Sequence, residues 1–292
     1  STYTSPIMNP WILAARPKTL AAALIPVTTA TALAFAEGHG RWTPALLCCL
    51  FAALMQVAAN FINDLFDFTK GTDREDRLGP ERACAQGWIT PQAMKRGIVV
   101  VLVLACAVGC CLLPYGGWSL VGIGAACVVF AFLYTTLLSY MGCGDLLVWA
   151  FFGFVPVCGT YFVQAGCITP SAWWLAAATG LVTDTLLVLN NYRDRDQDAE
   201  SGKRTLIVVL GERFGSLFYL LQGVLACLCT TVLCLYAHPW AALLSWLYLV
   251  PHFLTWRSMV RIHRGRELNR ILGLTSRNML IFAMLFILGC LL

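Results

Sequence analysis

"NFINDLFDFTKGTDREDRLGPER", residues 60–82, follows without a break on "PALLCCLFAALMQVAA", residues 44–59. The leading run is apolar enough to sit in lipid. Within about two helical turns it is followed by Asn60, Asn63, Asp64 and Asp67, and Asp73 and Asp76 come next. Carboxylates gathered at a membrane boundary repel one another by several kcal/mol where the effective dielectric is low. Unless they spread into water, such a group needs a cation.

Composition sets the class. The 292 residues are 59% hydrophobic and 12% charged, with a mean hydropathy of +0.73. Soluble domains carry about 25% charged residues, so the chain reads as an all-α integral membrane protein in a lipid bilayer. The 14 cysteines lie mostly inside apolar runs such as "LLCCLFAAL" and are read as reduced, buried hydrophobes. The start "STYTSPIMNPWILAARPKTL" lacks the basic-then-apolar order of a cleavable signal peptide. Apolar windows long enough to cross about 30 Å of hydrocarbon predict nine spans, at 14–36, 44–67, 92–113, 117–138, 145–166, 171–192, 213–236, 239–257 and 275–292. Residues 1–292 are expected to form one membrane-embedded domain of two four-helix halves, about 14–138 and 145–257, plus the last helix 275–292. Thr43-Pro44, Thr90-Pro91 and Thr169-Pro170 are expected helix starts, with Thr as cap and Pro in the first turn.

Basic residues set the expected orientation. With the N-terminus cytoplasmic, Arg41 is the only one of the 20 Lys and Arg left on the outer side. The net charge of +5 therefore marks topology and contact with anionic lipid, not nucleic-acid binding. Nothing in the sequence calls for an obligatory protein partner.

A second acidic group mirrors the first. Of the 15 Asp and Glu, six lie at 64–81 and four at 194–200. These positions end the second and sixth spans, on one membrane face. Asn190, Asp194 and Asp198 share a helix face if the helix continues. Hard carboxylate and amide oxygens suit Mg²⁺, which completes its shell with water and substrate phosphates; Mn²⁺ is the other divalent choice. Lys70, Arg77, Arg82, Lys203 and Arg204 stand close by in sequence to meet phosphate. Acids for metal and bases for phosphate predict a site for a Mg²⁺-bound diphosphate. A cation-coupled transporter is the reading from another class, but transporter sites usually lie near the bilayer midplane, whereas these acids crowd one face.

Four stretches carry a family resemblance: "RPKTL" (16–20), "NDLFDFTKGTDREDRLGP" (63–80), "GDLLVWAFFGFVPVCGTYFVQ" (144–164) and "NNYRDRDQDAESGKRTL" (190–206). The chain resembles the UbiA superfamily of membrane aromatic prenyltransferases, whose two Asp-rich motifs end the second and sixth of nine helices. The acid after Asp67 falls at Asp73 rather than at position 71, a spacing similar to the 1,4-dihydroxy-2-naphthoate polyprenyltransferase branch. The resemblance implies transfer of a polyprenyl group from polyprenyl diphosphate to 1,4-dihydroxy-2-naphthoate with loss of CO₂, a step of menaquinone synthesis. Acceptors such as 4-hydroxybenzoate or homogentisate are the alternatives on the same scaffold. It further implies a multi-pass protein of a bacterial inner membrane with its active site facing the cytoplasm.

The same resemblance implies site roles. Asp64, Asp67, Asp194 and Asp198 would be catalytic, holding metal together with Asn60. Asn63, Lys70, Asp73, Asp76, Arg77, Asn190, Lys203 and Arg204 would bind diphosphate or aromatic substrate. Arg16 and Lys18 are candidates for meeting substrate anions, although positive-inside anchoring accounts for them equally well. Tyr134, Tyr140 and Tyr161 are candidates to line the pocket and face a cation with their rings; interfacial tyrosines are the plain alternative. Asp184 lies about 15 Å deeper than Asp194 and is either functional or a structural group beside Thr183 and Thr185. The polar segments 68–91 and 194–212 read as lids that bound diphosphate draws together.

Overall fold

A computed structural model of the chain describes residues 8–71 and 75–292. Every element among them is helical. Short α1 (Pro10–Ala15) is capped by the Asn9 side chain and ends at Arg16, whose φ of 48° is left-handed. A 3₁₀ turn (Pro17–Thr19) leads into α2 (Leu20–Ala36). The first predicted span is thus split by a sharp corner at Arg16.

Next, α3 (Trp42–Lys70) carries the first acidic group on its own last turns, because the helix continues to Gly71, which closes it at φ 71°. Helices α4 (Pro91–Gly116) and α5 (Ser119–Thr136) follow. Then α6 (Gly144–Trp149) passes through a π-helical stretch (Ala150–Phe154) into α7 (Val155–Ala165). There a Cβ on Gly153 would lie 2.6 Å from the Ala176 carbonyl oxygen, so only glycine permits this approach to the neighbouring helix. That neighbour is α8 (Pro170–Arg193), followed by short α9 (Arg195–Glu200) and α10 (Leu206–Leu210), then α11 (Glu212–Thr231). The last elements are α12 (Pro239–Ser245), α13 (Leu249–Ile262) and α14 (Leu268–Leu291).

Thr90 and Thr169 cap α4 and α8 as expected, accepting from the amides of Ala93 and Ala172. Thr43 does not cap α3. That helix starts one residue earlier, at Trp42, whose ring packs on Phe35, while the Arg41 amide is taken by Gln164. Eight helices among the described residues have the length and hydropathy to cross a membrane, and the chain is a multi-pass membrane protein. The predicted span 239–257 is helical in three pieces, α12, a 3₁₀ turn at Trp246–Tyr248 and α13.

Helix α8 is the axis of the bundle: 72% of its apolar window is buried, against 17% in α4 and 11% in α5. It packs on α11, α14, α2, α6 and α7, while α4 and α5 lean on α3 at the periphery. The end of the bundle away from the acids is tied by Glu37. Its carboxylate accepts from Tyr161 Oη at 2.6 Å, Ser171 Oγ at 2.9 Å and Thr169 Oγ1 at 3.1 Å, and pairs with His238 Nε2 at 2.9 Å. Burial alone would raise this carboxyl, but these donors outweigh it and hold it at about 2.

Candidate functional site

At the acid-bearing end, two cavities meet different parts of the predicted residue set. A polar pocket of about 50 Å³ is lined by Asp67, Arg77, Asp194, Gln197, Asp198, Ser201 and Lys203. Both acidic groups contribute, so the structure brings spans four crossings apart to one pocket. Helix α8 stops at Arg193, yet the Asp194 amide still bonds Asn190 O and the Asp198 amide bonds Asp194 O, at 3.0 and 2.8 Å. These are the last bond of α8 and the first of α9, and the second of them sets Asp198 one turn beyond Asp194 on a common face.

The three acids of the pocket differ in how they are held. Asp67 pairs with Arg82 at 3.1 Å. Asp194 is clamped through both oxygens by Arg193, at 2.9 and 3.0 Å, and Arg193 in turn bonds Asn269. Asp198 has no arginine within salt-bridge distance among the described residues, and burial followed by the nearby Asp194 pushes its carboxyl up to about 6 although Lys203 pulls the other way. A cation beside Asp198 would relieve both penalties. Only oxygen donors face the pocket from these acids, which suits a hard divalent ion. Among the described residues no three acids, His or Cys converge closely enough to hold a metal by themselves. The residues fit an ion that completes its shell with phosphate and water.

Asp64 and Asn60, both expected metal ligands, lie outside this pocket. The two oxygens of buried Asp64 accept the amides of Ala83 and Cys84 at 3.0 and 2.9 Å, fastening the 75–90 segment to α3. Asn60 donates to Ala15 O and Thr19 Oγ1, at 2.9 and 2.8 Å, fixing the corner after α1. Asp64→Ala removes the carboxylate that accepts these two buried amides, at a cost of about 3 kcal/mol. The expected result is a lower melting temperature in detergent and rapid protease cleavage within 75–90, neither of which accompanies Asp198→Ala; equal stability of the two variants would refute the fastening role.

Other expected residues are placed as follows. Lys70 donates to Thr136 O at 2.6 Å and Thr135 O at 3.3 Å. Asn63 accepts from Thr135. Arg204 and Lys18 are exposed and border neither cavity. Asp73 lies outside the described residues. Asp76 contributes its main-chain oxygen, which accepts from Gln197 Nε2 at 2.8 Å, and Asn269 Nδ2 bonds Leu78 O at 2.8 Å. The Gln197–Asp76 bond joins the two expected lid segments, while Asn269 of α14 and the burial of Ala83, Cys84 and Ile89 in the core tie the first of them to the bundle. Asp184 is buried under α11, bonded by Gln222 and to Asp145. Tyr161 belongs to the Glu37 cluster.

The second cavity, about 580 Å³ and mostly apolar, begins beside Arg16, Asn60, Asn63, Tyr134 and Asn190 and runs along α3 as far as Cys48. Asn63 to Cys48 is 15 residues, or about 22 Å of helix. Its wall on α4 and α5 includes Cys106, Val121 and Ile123, all three exposed, so this wall is not closed over by the rest of the bundle. Beside it, the buried Arg16 Nη2 meets no acceptor among the described residues and the Arg16 backbone sits in the left-handed region.

The UbiA prenyltransferase family pattern matches residues 23–291. The chain belongs to the UbiA prenyltransferase family. It is 35% identical to the 1,4-dihydroxy-2-naphthoate octaprenyltransferase of Escherichia coli K12 over 96% of this chain and 94% of that one. Its fold superposes on a UbiA homolog from Aeropyrum pernix K1 with a TM-score of 0.71 and 17% identity, covering 92% of this chain and 97% of that one. A UbiA homolog from Archaeoglobus fulgidus bound to GPP and Mg²⁺ aligns with a TM-score of 0.65 and 14% identity, over 97% and 99%. In this UbiA-family chain, the sequence pattern had no signal for Arg193 as the clamp of Asp194, since a cation beside an acid in a mixed-charge run is unexceptional. Asp145, in the quoted "GDLLVW" stretch, likewise gives no signal in the sequence, and its side chain bonds Asp184.

Proposed function

We propose that the protein transfers a polyprenyl group from polyprenyl diphosphate to 1,4-dihydroxy-2-naphthoate with loss of CO₂, at the cytoplasmic face of a bacterial inner membrane. The observation that carries this reading is the adjacency of a long apolar cavity and a polar pocket shared by both acidic motifs. The name of the 35% identical E. coli relative supports the acceptor, and the GPP and Mg²⁺ of the Archaeoglobus homolog support a prenyl diphosphate with a divalent ion.

On this reading the tail lies along α3 in the apolar cavity and the diphosphate sits in the polar pocket. Asp67, Asp194 and Asp198 hold Mg²⁺, and Mn²⁺ suits the same oxygens. The ion supplies charge neutralisation for the leaving diphosphate. Arg77 and Lys203 donate to its oxygens as the allylic C–O bond breaks and the electron pair leaves with phosphate. Arg16 holds the acceptor's carboxylate at the cavity mouth, with Tyr134, Asn63 and Asn190 around the ring. The ring carbon bearing the carboxylate forms the new C–C bond to the allylic carbon; the C–CO₂ bond then breaks and its electrons restore the aromatic ring. Apolar walls keep water from the allylic carbon.

Purified protein in proteoliposomes, given Mg²⁺, polyprenyl diphosphate and a panel of aromatic acids, is expected to release diphosphate and CO₂ with the naphthoate and to show no comparable turnover with 4-hydroxybenzoate or homogentisate. Turnover with one of those instead would reassign the acceptor. Release of no diphosphate with any acceptor would sink the transferase reading and leave transport.

A further inference from the structure

We propose that Tyr140 is a positioning residue whose ring holds Lys70 and Lys203, one cation from each acid-bearing segment, so that Lys203 faces the polar pocket ready for a diphosphate. This rests on the site reading above, which places diphosphate in that pocket. Lys70 Nζ lies 4.8 Å and Lys203 Nζ 5.4 Å from the centroid of the Tyr140 ring. Both distances are within cation–π range.

The two lysines are held differently from the arginines nearby. Arg82 and Arg193 are spent on Asp67 and Asp194. Lys203 lines the same pocket and its charge acts on Asp198, yet among the described residues its ammonium meets no carboxylate within salt-bridge distance and no hydrogen-bond acceptor; the Tyr140 ring is the aromatic face it rests on. An ammonium resting on an aromatic face keeps its charge and its three N–H donors for another acceptor, whereas one paired with Asp198 would be neutralised. The long lysine stem is flexible in water, and the ring removes that freedom before ligand arrives. Tyr140 is itself fixed relative to Lys203. It ends a 3₁₀ turn (Leu138–Tyr140), and two residues later Gly142, at φ +74°, presses so close to the main chain that a Cβ there would stand 2.8 Å from Arg204 O. The loop between α5 and α6 is thus seated on the backbone next to Lys203, and only a residue without a side chain permits the contact.

The test measures affinity of the full-length protein for inorganic diphosphate with Mg²⁺ by calorimetry, alongside KM for prenyl diphosphate and for the aromatic acid. Tyr140→Leu is expected to weaken diphosphate binding and raise the prenyl diphosphate KM roughly five- to tenfold, with the aromatic KM and the melting temperature nearly unchanged. Tyr140→Phe keeps the ring face and is expected to stay within about twofold of wild type. In a Lys203→Met background Tyr140→Leu should add little, because its effect runs through that lysine. Impairment of Tyr140→Phe equal to that of Tyr140→Leu, equal rises in both KM values, or full additivity with Lys203→Met would each overturn the proposal. The calorimetric arm stands without turnover, so a wild-type protein inactive toward the naphthoate would defeat the acceptor assignment and leave Tyr140 separately judged.

Discussion

Asp198→Ala is expected to leave the bundle folded and to lower prenyl transfer by roughly a hundredfold or more, the scale seen when a charge-stabilising or metal-holding group is removed. Asp67 and Asp194 each rest on an arginine, so their charges are partly satisfied before any ligand binds. Asp198 has no such support and is raised to about 6 by burial beside Asp194. A carboxylate kept at that cost has its charge available for a cation. The loss should fall on kcat, since the acid is needed most as charge accumulates on the leaving diphosphate. Asp198→Asn, which preserves shape and removes charge, should be nearly as slow as the alanine variant. If either variant turns over within threefold of wild type while its melting temperature is unchanged, Asp198 has no part in the reaction.

Chelation of divalent ions should abolish turnover, and restoring Mg²⁺ should recover it. The acids of the pocket would otherwise face the diphosphate with like charge. The pH dependence can be derived from Asp198. Its carboxyl is raised from its ordinary 3.8 to about 6, so in the metal-free protein it favours the fold while protonated, and that contribution is lost as pH rises from about 4 through about 6. Cation binding has the opposite dependence, because the ion needs the ionised form. At about a hundred times its dissociation constant Mg²⁺ would add about 2.7 kcal/mol, a rise in melting temperature of roughly 5 °C at pH 7.5 that fades as pH falls below about 6. A Mg²⁺ shift of the same size at pH 5 and pH 7.5 would rule out Asp198 as the responsive group, and full activity in excess chelator would remove the metal from the reaction.

The features legible in the sequence were those that depend on side-chain type and spacing alone. Long apolar windows gave the membrane helices, and the offset between the acidic groups put Asp67, Asp194 and Asp198 on one face. Features that depend on main-chain partners were hidden. Asp64 reads like Asp67 in the sequence, yet it takes the amides of Ala83 and Cys84, groups that any residues at those positions would supply. The 3₁₀ turn at Trp246–Tyr248 leaves hydropathy untouched, so the predicted span 239–257 appeared continuous. The left-handed corner at Arg16 was equally invisible, because a non-glycine residue there gives no signal of its own. Tyr140 stood among the candidate tyrosines, but its two lysine partners come from helices and loops far apart in the chain.

On the proposed reading, the exposed wall that α4 and α5 give the apolar cavity has a kinetic meaning as a side entrance from the acyl layer. An amphiphile can present its headgroup to the polar pocket while its tail slides in from the acyl layer, without crossing water. Encounter is then a two-dimensional search, and the quantity that saturates the protein is the mole fraction of prenyl diphosphate among the surrounding lipids rather than its molarity. The two products part by solubility: diphosphate leaves through the mouth into water, and the prenylated ring, having lost its carboxylate, drains into the bilayer. That one-way partition draws the reaction forward.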